Sequence, residues 1–338
     1  PVMKKNISSR RSSSKKKTPS SKKTIYRVRN WSTYNQSLVN RGSLTVWLSE
    51  DALSGWRYQG PTQRGGQFLY SDLAIETTLT LRTLFDLGLR QSQGLVRSLF
   101  VLMDLDLKAP SYSTLSRRQA ALQIQLPVRS KEESIHLVVD SSGLQIFGEG
   151  EWKVRQHGWT QRRTWRKLHL GINAHTSEIV AQTLTMASEG DASQVKRLLA
   201  QVEGDIATCA GDGAYDRWSV HHRLAYPPDQ DQPIASVIPP RRDGKHRKAK
   251  RRYRHIEARN QRLQDIEKKG RKQWKKDSGY HQRSLAETGV FRFKGILSAR
   301  LRARRWNGQQ TEARIGCAIL NRMIHLGKPE TYKVEINL

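Results

Sequence analysis

Three acids, Asp140, Asp212 and Glu287, are the residues whose type and surroundings best suit chemistry. Asp140 follows the apolar run IHLVV and precedes Ser141-Ser142, and Asp212 follows IATCAG and precedes Gly213. An acid at the mouth of an apolar strand is badly placed as a solvated surface charge. Two of them brought together with Glu287 raise one another's pKa unless a cation joins them. Carboxylate oxygens with open positions select Mg²⁺ or Mn²⁺ over zinc. Two of these ions, roughly 3.5–4 Å apart, would activate a water or a 3′-hydroxyl and stabilise the leaving oxygen of an in-line phosphoryl displacement.

Glu287 lies within YHQRSLAETGVFRFK, residues 280–294. On a 3.6-residue helix, Tyr280, Arg283, Glu287 and Lys294 fall within roughly 60° of one another. Asp277 and Ser278 are N-cap types, so a helix is expected to start there. One face then carries a carboxylate, an aromatic hydroxyl, a guanidinium and an ammonium, and Arg283 and Lys294 would steady the phosphates of a bound strand. Other chemistries lack their parts. The pair His221-His222 has no third ligand at metal spacing. Ser141-Ser142 has no nucleophile elbow. No Walker A or GxGxxG motif stands in a strand–turn–helix context, so no nucleotide cofactor is expected.

The elements that must position these acids read as α/β. IHLVVDSSGLQIFG predicts a buried strand ending near Asp140. WRKLHLGINA (165–174) and EIVAQTLTMA (178–187) predict an antiparallel hairpin. DASQVKRLLAQV is a capped helix, IATCAGDGAYD a strand ending at Asp212, and PIASVIPPR a strand cut off by Pro239-Pro240. Three strands, a helix and a strand, followed by further α/β elements, is the order of a ribonuclease-H-like core, a mixed sheet flanked by helices. Toward the C-terminus, QQTEARIGCAILNRMIHL predicts an amphipathic helix turning Cys317, Ile319 and Leu320 inward. Upstream, LAIETTLTLRTLFDL, capped by Ser71-Asp72 and closed by Gly88, is followed by LRQSQGLVRSLFVLMDL and SYSTLSRRQAALQIQL. These three helices suit a small helix-turn-helix-like DNA-binding region with Arg90, Arg117 and Arg118 as its hands.

The chain has 338 residues and a formal net charge of +30, with 60 Lys+Arg against 30 Asp+Glu. Such an excess opposes compaction and calls for a polyanion, nucleic acid first and an anionic membrane surface second. No apolar run approaches the ~20 residues needed to span a bilayer. Cys209 and Cys317 form no zinc or CxxC spacing and read as buried hydrophobes in a reducing compartment. These features together predict a soluble, cytoplasmic, nucleoid-associated protein. Residues 1–29 read as a disordered basic tail, 30–127 as the helical region and 128–338 as the catalytic domain. Within that domain the basic insertion 241–276, opening on Arg241-Arg242 and interleaved with Tyr253 and Trp274, reads as a phosphate-tracking element.

At the level of whole motifs the chain resembles the DDE transposases of the insertion-sequence-five family. Tyr280-x2-Arg283-x3-Glu287-x6-Lys294 matches their C-terminal Y-R-E-K signature. NWSTYNQSLVNRGSLTVW, YSDLAIETTLTLRTLF, LRQSQGLVRSLF and YSTLSRRQ resemble their N-terminal half. DSSGL around Asp140, WRKLHLGI, GDGAYD around Asp212 and VIPPR around Ile238 resemble their catalytic blocks. The similarity spans about Asn30 to Met323, and the Lys/Ser-rich arm before Asn30 has no counterpart in it. The resemblance implies a ribonuclease-H-like core in which Asp140, Asp212 and Glu287 hold two metal ions and Tyr280, Arg283 and Lys294 support the strand being cut or joined. It further implies cleavage at terminal inverted repeats of double-stranded DNA and joining of the freed 3′ ends to a target, by a homodimer or higher oligomer in a synaptic complex. Two other readings share these residues: a catalytically silent DNA-binding protein descended from a transposase, and a structure-specific nuclease on the same core.

Overall fold

The computed structural model describes residues 23–62, 64–129, 134–146, 165–248 and 253–336. Five strands form the main path of a mixed sheet: β2 (Ile135–Ile146), β3 (Trp165–Asn173), β4 (Ile179–Met186), β5 (Ile206–Ala210) and β6 (Ala235–Val237). Their order is β4-β3-β2-β5-β6, and the two-residue β7 (Arg300–Leu301) pairs with the far end of β2. Strands β4, β3 and β2 run antiparallel as successive neighbours, whereas β5 and β6 add in parallel. A meander extended by parallel strands needs helical crossovers. One is α7 (Asp191–Leu199), between β4 and β5; the other is α8 (Trp218–Ala225), between β5 and β6.

Strand β2 is the centre of this sheet, and its sequence explains why. Leu137, Val138 and Val139 are all buried, so both faces of the strand are covered, as a central strand of an α/β sheet requires. It does not stop near Asp140 as expected. Pairing with β3 continues to Gln145↔Trp165, and β7 docks on Gln145 and Ile146. Ser141, Ser142 and Gly143 have the composition of a turn but are held in the ladder. A Cβ at Gly143 would come within 3.1 Å of the Trp165 ring, so the glycine lets that indole lie across the strand.

Two apolar cores sandwich the sheet. On one side α7 and α8 contribute Val195, Leu198, Val220 and Leu224, packed with Leu137, Val139 and Tyr215. The other core joins Leu144, Leu168, Leu170 and Ile172 of the sheet to the long α12 (Trp306–Leu326), which buries Cys317, Ile319 and Leu320 as its pattern predicts. The same core runs on through Ile75, Leu79, Val96 and Phe100 of α4 (Asp72–Leu84) and α5 (Leu89–Leu102). The helices before residue 127 are therefore packed as one body with the sheet after it.

Helix α4 starts where its cap predicts, the Ser71 hydroxyl accepting from the Ala74 amide at 3.1 Å. It ends earlier than expected, at Leu84, because Asp86 takes a left-handed φ of 49°. Gly88 does not close α4 but stands at the N-cap of α5. Residues 85–88 make a short turn, while 103–111 before α6 (Tyr112–Arg118) exceed the roughly three or four residues of a helix-turn-helix link. Much of the expected basic tail, residues 1–22, lies outside the described residues. Its last part is not tail: Lys23–Val28 forms β1, antiparallel to β8 (Thr331–Ile336). Among the described residues no helix is long and apolar enough to cross a membrane.

Candidate active site

Strands β2 and β5 pair in parallel up to Val138↔Ala210. Asp140 and Asp212 each stand two residues beyond that pair, so the register alone brings the two carboxylates side by side where β5 leaves the sheet. Asp212 is fixed by its own turn, its Oδ1 accepting from the Ala214 amide at 2.8 Å at the head of the 3₁₀ turn Gly213–Tyr215. Gly211 is what lets the chain turn there. A Cβ on it would lie 2.9 Å from Cδ2 of the Tyr215 ring and 3.1 Å from Cγ2 of Val139, both buried. Gly211→Ala is accordingly expected to cost about 1–3 kcal/mol by overpacking, read as a lowered midpoint in thermal denaturation.

Glu287 comes from the opposite direction, on α11 (Ser284–Arg292), which packs across β2 and β3. A Cβ at Gly289 would collide with Ile172, so the glycine allows the helix its close approach to β3. The single helix expected over 280–294 is three pieces instead. Asp277 is the last residue of α10 (Arg271–Asp277) and caps no helix after it, and Gly279 turns the chain with a φ of 68°. Tyr280–Arg283 is a 3₁₀ turn, α11 comes next, and Phe293–Leu297 is a π-helical turn carrying Lys294. Arg283 and Glu287 keep their i,i+4 relation and form an ion pair. Arg283 also reaches Asp140, its Nη1 lying 3.8 Å from Oδ2. One guanidinium thus bridges two of the three acids.

The electrostatics show that all three acids share one neighbourhood. Burial is the largest influence on Asp140 and lifts its carboxyl above the ordinary value. The Ser141 amide (2.8 Å) and Arg283 pull it down, while the charges of Asp212 and Glu287 push it further up. Tyr280 is raised by burial and by the same three carboxylates, with Arg283 opposing. Glu287 is the more open member of the pair it forms, 53% exposed against 23% for Arg283. Among the described residues no three His, Cys, Asp or Glu side chains stand close enough to share one ion as they are. The donor set nevertheless fits a hard divalent cation: carboxylate oxygens only, one of them on a partly buried group that resists ionisation, with a positive charge already drawn between them.

Two polar clusters beside these acids were not visible in the sequence. Behind β2, the Ser141 hydroxyl donates to Asp191 Oδ1 at 2.7 Å and Lys167 Nζ lies 3.1 Å from the same oxygen. His169, fully buried next to them, is pushed down to about 4 by burial and stays neutral at physiological pH. Beyond Asp212, Asp216 accepts from Arg259 Nε and Nη2, from His221 Nε2 (2.8 Å each) and from the Arg241 amide at 2.9 Å. Burial alone would raise this carboxyl, but the four donors hold it well below the usual range. His221, which lacks metal-ligand spacing in the sequence, is thus a structural hydrogen-bonding partner. Asp216 stands four residues after Asp212 in GDGAYD. No local pattern ties it to Arg259, whose helix α9 (Arg254–Lys269) it anchors to the end of β5.

The remaining basic candidates are spread over the surface. Arg90, Arg117, Arg241 and Arg242 are exposed, with Arg90 stacked 4.4 Å over the Tyr112 ring. Arg118 is taken up within the fold: it donates to Tyr70 O at 2.9 Å, pairs with Asp72 and lies 4.1 Å over Phe68. Cys209 and Cys317 are free and buried, and burial pushes both thiols up to about 12.

A mixed sheet flanked by helices, with one acid within its central strand and another just past the end of the parallel neighbour, is consistent with a ribonuclease-H-like DDE domain. Two family models described as the transposase DDE domain match the chain, one over residues 39–149 and the other over residues 131–322. The second alone covers more than half of the sequence, and the chain belongs to that family. No solved structure matches it significantly.

Proposed function

We propose that this DDE-family protein is an insertion-sequence-five-type transposase that cuts its element at terminal inverted repeats and joins the 3′ ends to target DNA. The observation that carries the reading is the convergence of Asp140, Asp212 and Glu287 from β2, the exit of β5 and α11. In this reading those three acids are the catalytic residues and hold two Mg²⁺ or Mn²⁺ ions. When bound, such ions supply Lewis-acid activation of an attacking oxygen and neutralise charge on the leaving one. The chain's own contribution is placement. Arg283, now pairing Asp140 with Glu287, is a cation near enough to transfer its hydrogen bonds to a strand phosphate, and bidentate guanidinium–phosphate pairs are strong and directional. Tyr280 and Lys294 flank it on the 3₁₀ and π turns. Arg90, Arg117, Arg241 and Arg242 contribute to duplex contact, and the charge of +30 drives association.

The test is an incubation with Mg²⁺ and a labelled duplex carrying the inverted repeats that bracket the gene. Nicked ends with free 3′-hydroxyls and joined products are expected. Sequence-specific binding without nicking under any divalent ion would instead support the catalytically silent reading, and preferred cleavage of hairpins or RNA hybrids would support the nuclease. Binding itself is expected to weaken steeply with salt, each neutralised phosphate adding roughly −0.9 to the log–log slope. A flat salt response in a titration from low to physiological ionic strength would contradict the electrostatic part.

A further inference from the structure

The sheet changes character at the level of Asp140. Along β2, Leu137 and Val139 belong to the core under α7 and α8, while Val138 and Leu144 belong to the opposite core. Successive side chains of a strand alternate in this way, so Asp140 points toward α11, where Arg283 meets it, and Ser141 points back toward α7. On the α7 side, apolar contact gives way at that step to polar side chains from three strands: Ser141 of β2, Lys167 and His169 of β3, and Thr185 of β4. Three of them converge on one atom. Asp191 Oδ1 accepts from the Ser141 hydroxyl at 2.7 Å and lies 3.1 Å from Lys167 Nζ and 3.7 Å from His169 Nδ1. Lys167 Nζ also donates to Glu189 O at 3.0 Å, and His169 Nε2 lies 2.8 Å from Thr185 Oγ1. One carboxylate oxygen thus ties β2 and β3 to the first residue of α7. The Ser141 amide in turn donates to Asp140 Oδ1 at 2.8 Å. The residue that Asp191 grips by its side chain is the one that holds Asp140 by its backbone.

Stability does not account for this arrangement. A largely buried ion pair is commonly no better for a fold than apolar side chains of the same volume, and His169 keeps one buried nitrogen unpaired. What a connected polar network supplies is a single fixed geometry, and Asp140 needs one. The charges of Asp212 and Glu287 bear on its carboxylate from the front, and their repulsion works to swing it away from them. A strand pinned from behind resists that push.

We infer that Asp191 is a positioning residue for metal binding: through Ser141 it fixes the carboxylate of Asp140 in the orientation a divalent ion requires, without touching the ion. That role rests on the proposed hold of Asp140 on the ion. The probe is Mn²⁺ itself, titrated into the full chain without DNA and followed by the EPR signal of the free ion, with thermal midpoints measured on the metal-free protein. Asp191→Ala and Ser141→Ala are each expected to weaken Mn²⁺ binding roughly tenfold, as loss of a partner that orients a ligand does. The double variant is expected to weaken it no further, because both changes remove the same link. Ser141→Thr, which keeps the hydroxyl, is expected to bind as the wild type does. Leu198→Ala, buried in the same packing of α7 but outside the network, is expected to lower the midpoint and leave Mn²⁺ affinity unchanged. A loss of affinity in Leu198→Ala equal to that in Asp191→Ala would overturn the inference, and so would single effects that multiply in the double variant. Ser141→Ala removes one hydroxyl and serves if Asp191→Ala does not fold. Asp140→Asn separates the two levels. Binding that it weakens, but that Ser141→Ala and Asp191→Ala leave intact, would overturn the role of Asp191 alone. Binding indifferent to Asp140→Asn would overturn the metal-holding role of Asp140 and the role of Asp191 with it.

Discussion

Asp140→Asn is expected to abolish strand cleavage, by about three orders of magnitude or more, while raising the melting temperature. The first effect comes from removing one of three carboxylates that would hold the ions, where several kcal/mol of transition-state stabilisation are at stake and each 1.36 kcal/mol is a factor of about ten. The second comes from the sign of the Asp140 shift. Its carboxyl is raised in the folded state, first by burial and then by Asp212 and Glu287. A group raised on folding stabilises the fold at pH below its unfolded value and loses that contribution as pH rises through its folded value. At neutral pH the ionised carboxylate is thus a net liability that the amide removes. Cleavage of inverted-repeat DNA and differential scanning fluorimetry on the same preparation read both effects, with DNA binding retained as the control for folding. Persistent cleavage would remove Asp140 from the site; a fall in melting temperature would mean that its charge is already compensated by Arg283.

Arg259→Met carries the largest stability effect. Its guanidinium gives two 2.8 Å bonds to Asp216, whose side chain is 1% exposed. Methionine keeps much of the volume but leaves a carboxylate buried with His221 and the Arg241 amide as its remaining partners. Breaking a buried pair in this way costs about 3–5 kcal/mol, a fall in melting temperature on the order of 10 °C for a domain of this size. The pH dependence runs opposite to that of Asp140. Asp216 is held below its ordinary range, so its contribution is present above the unfolded carboxylate value of about 3.9 and lost as pH falls through the folded value. Losing Arg259 relaxes that depression, and acid unfolding is expected to begin at higher pH in the variant. An unchanged acid-unfolding profile would mean that the remaining donors suffice.

Much of this protein is set by short-range pattern. The alternation and apolar runs of IHLVV, WRKLHLGINA and EIVAQTLTMA determine strands because a sheet covered on both faces needs continuous hydrophobic sequence. Ser71 caps α4 because its hydroxyl lies next to the amides that need an acceptor. The buried side of α12 is readable from period alone, Asp140 and Asp212 stand out as acids after apolar runs, and Glu287 stands out by its spacing from Tyr280, Arg283 and Lys294.

Tertiary structure decided what depends on partners distant in the chain. Ser141, Ser142 and Gly143 belong to a strand only because β3 and β7 pair beyond Asp140, and local composition carries no trace of that pairing. The break at Gly279, and the π turn after Arg292, divide one helical period into three, since backbone torsion overrides a wheel drawn from spacing. Asp216 finds Arg259, and Asp191 finds Ser141, across tens of residues, and a desolvated charge takes whichever counter-charge the fold brings to it. The nearness of Asp140 to Asp212 has the same origin: two parallel strands in register place them side by side, an adjacency that exists only once the sheet has formed.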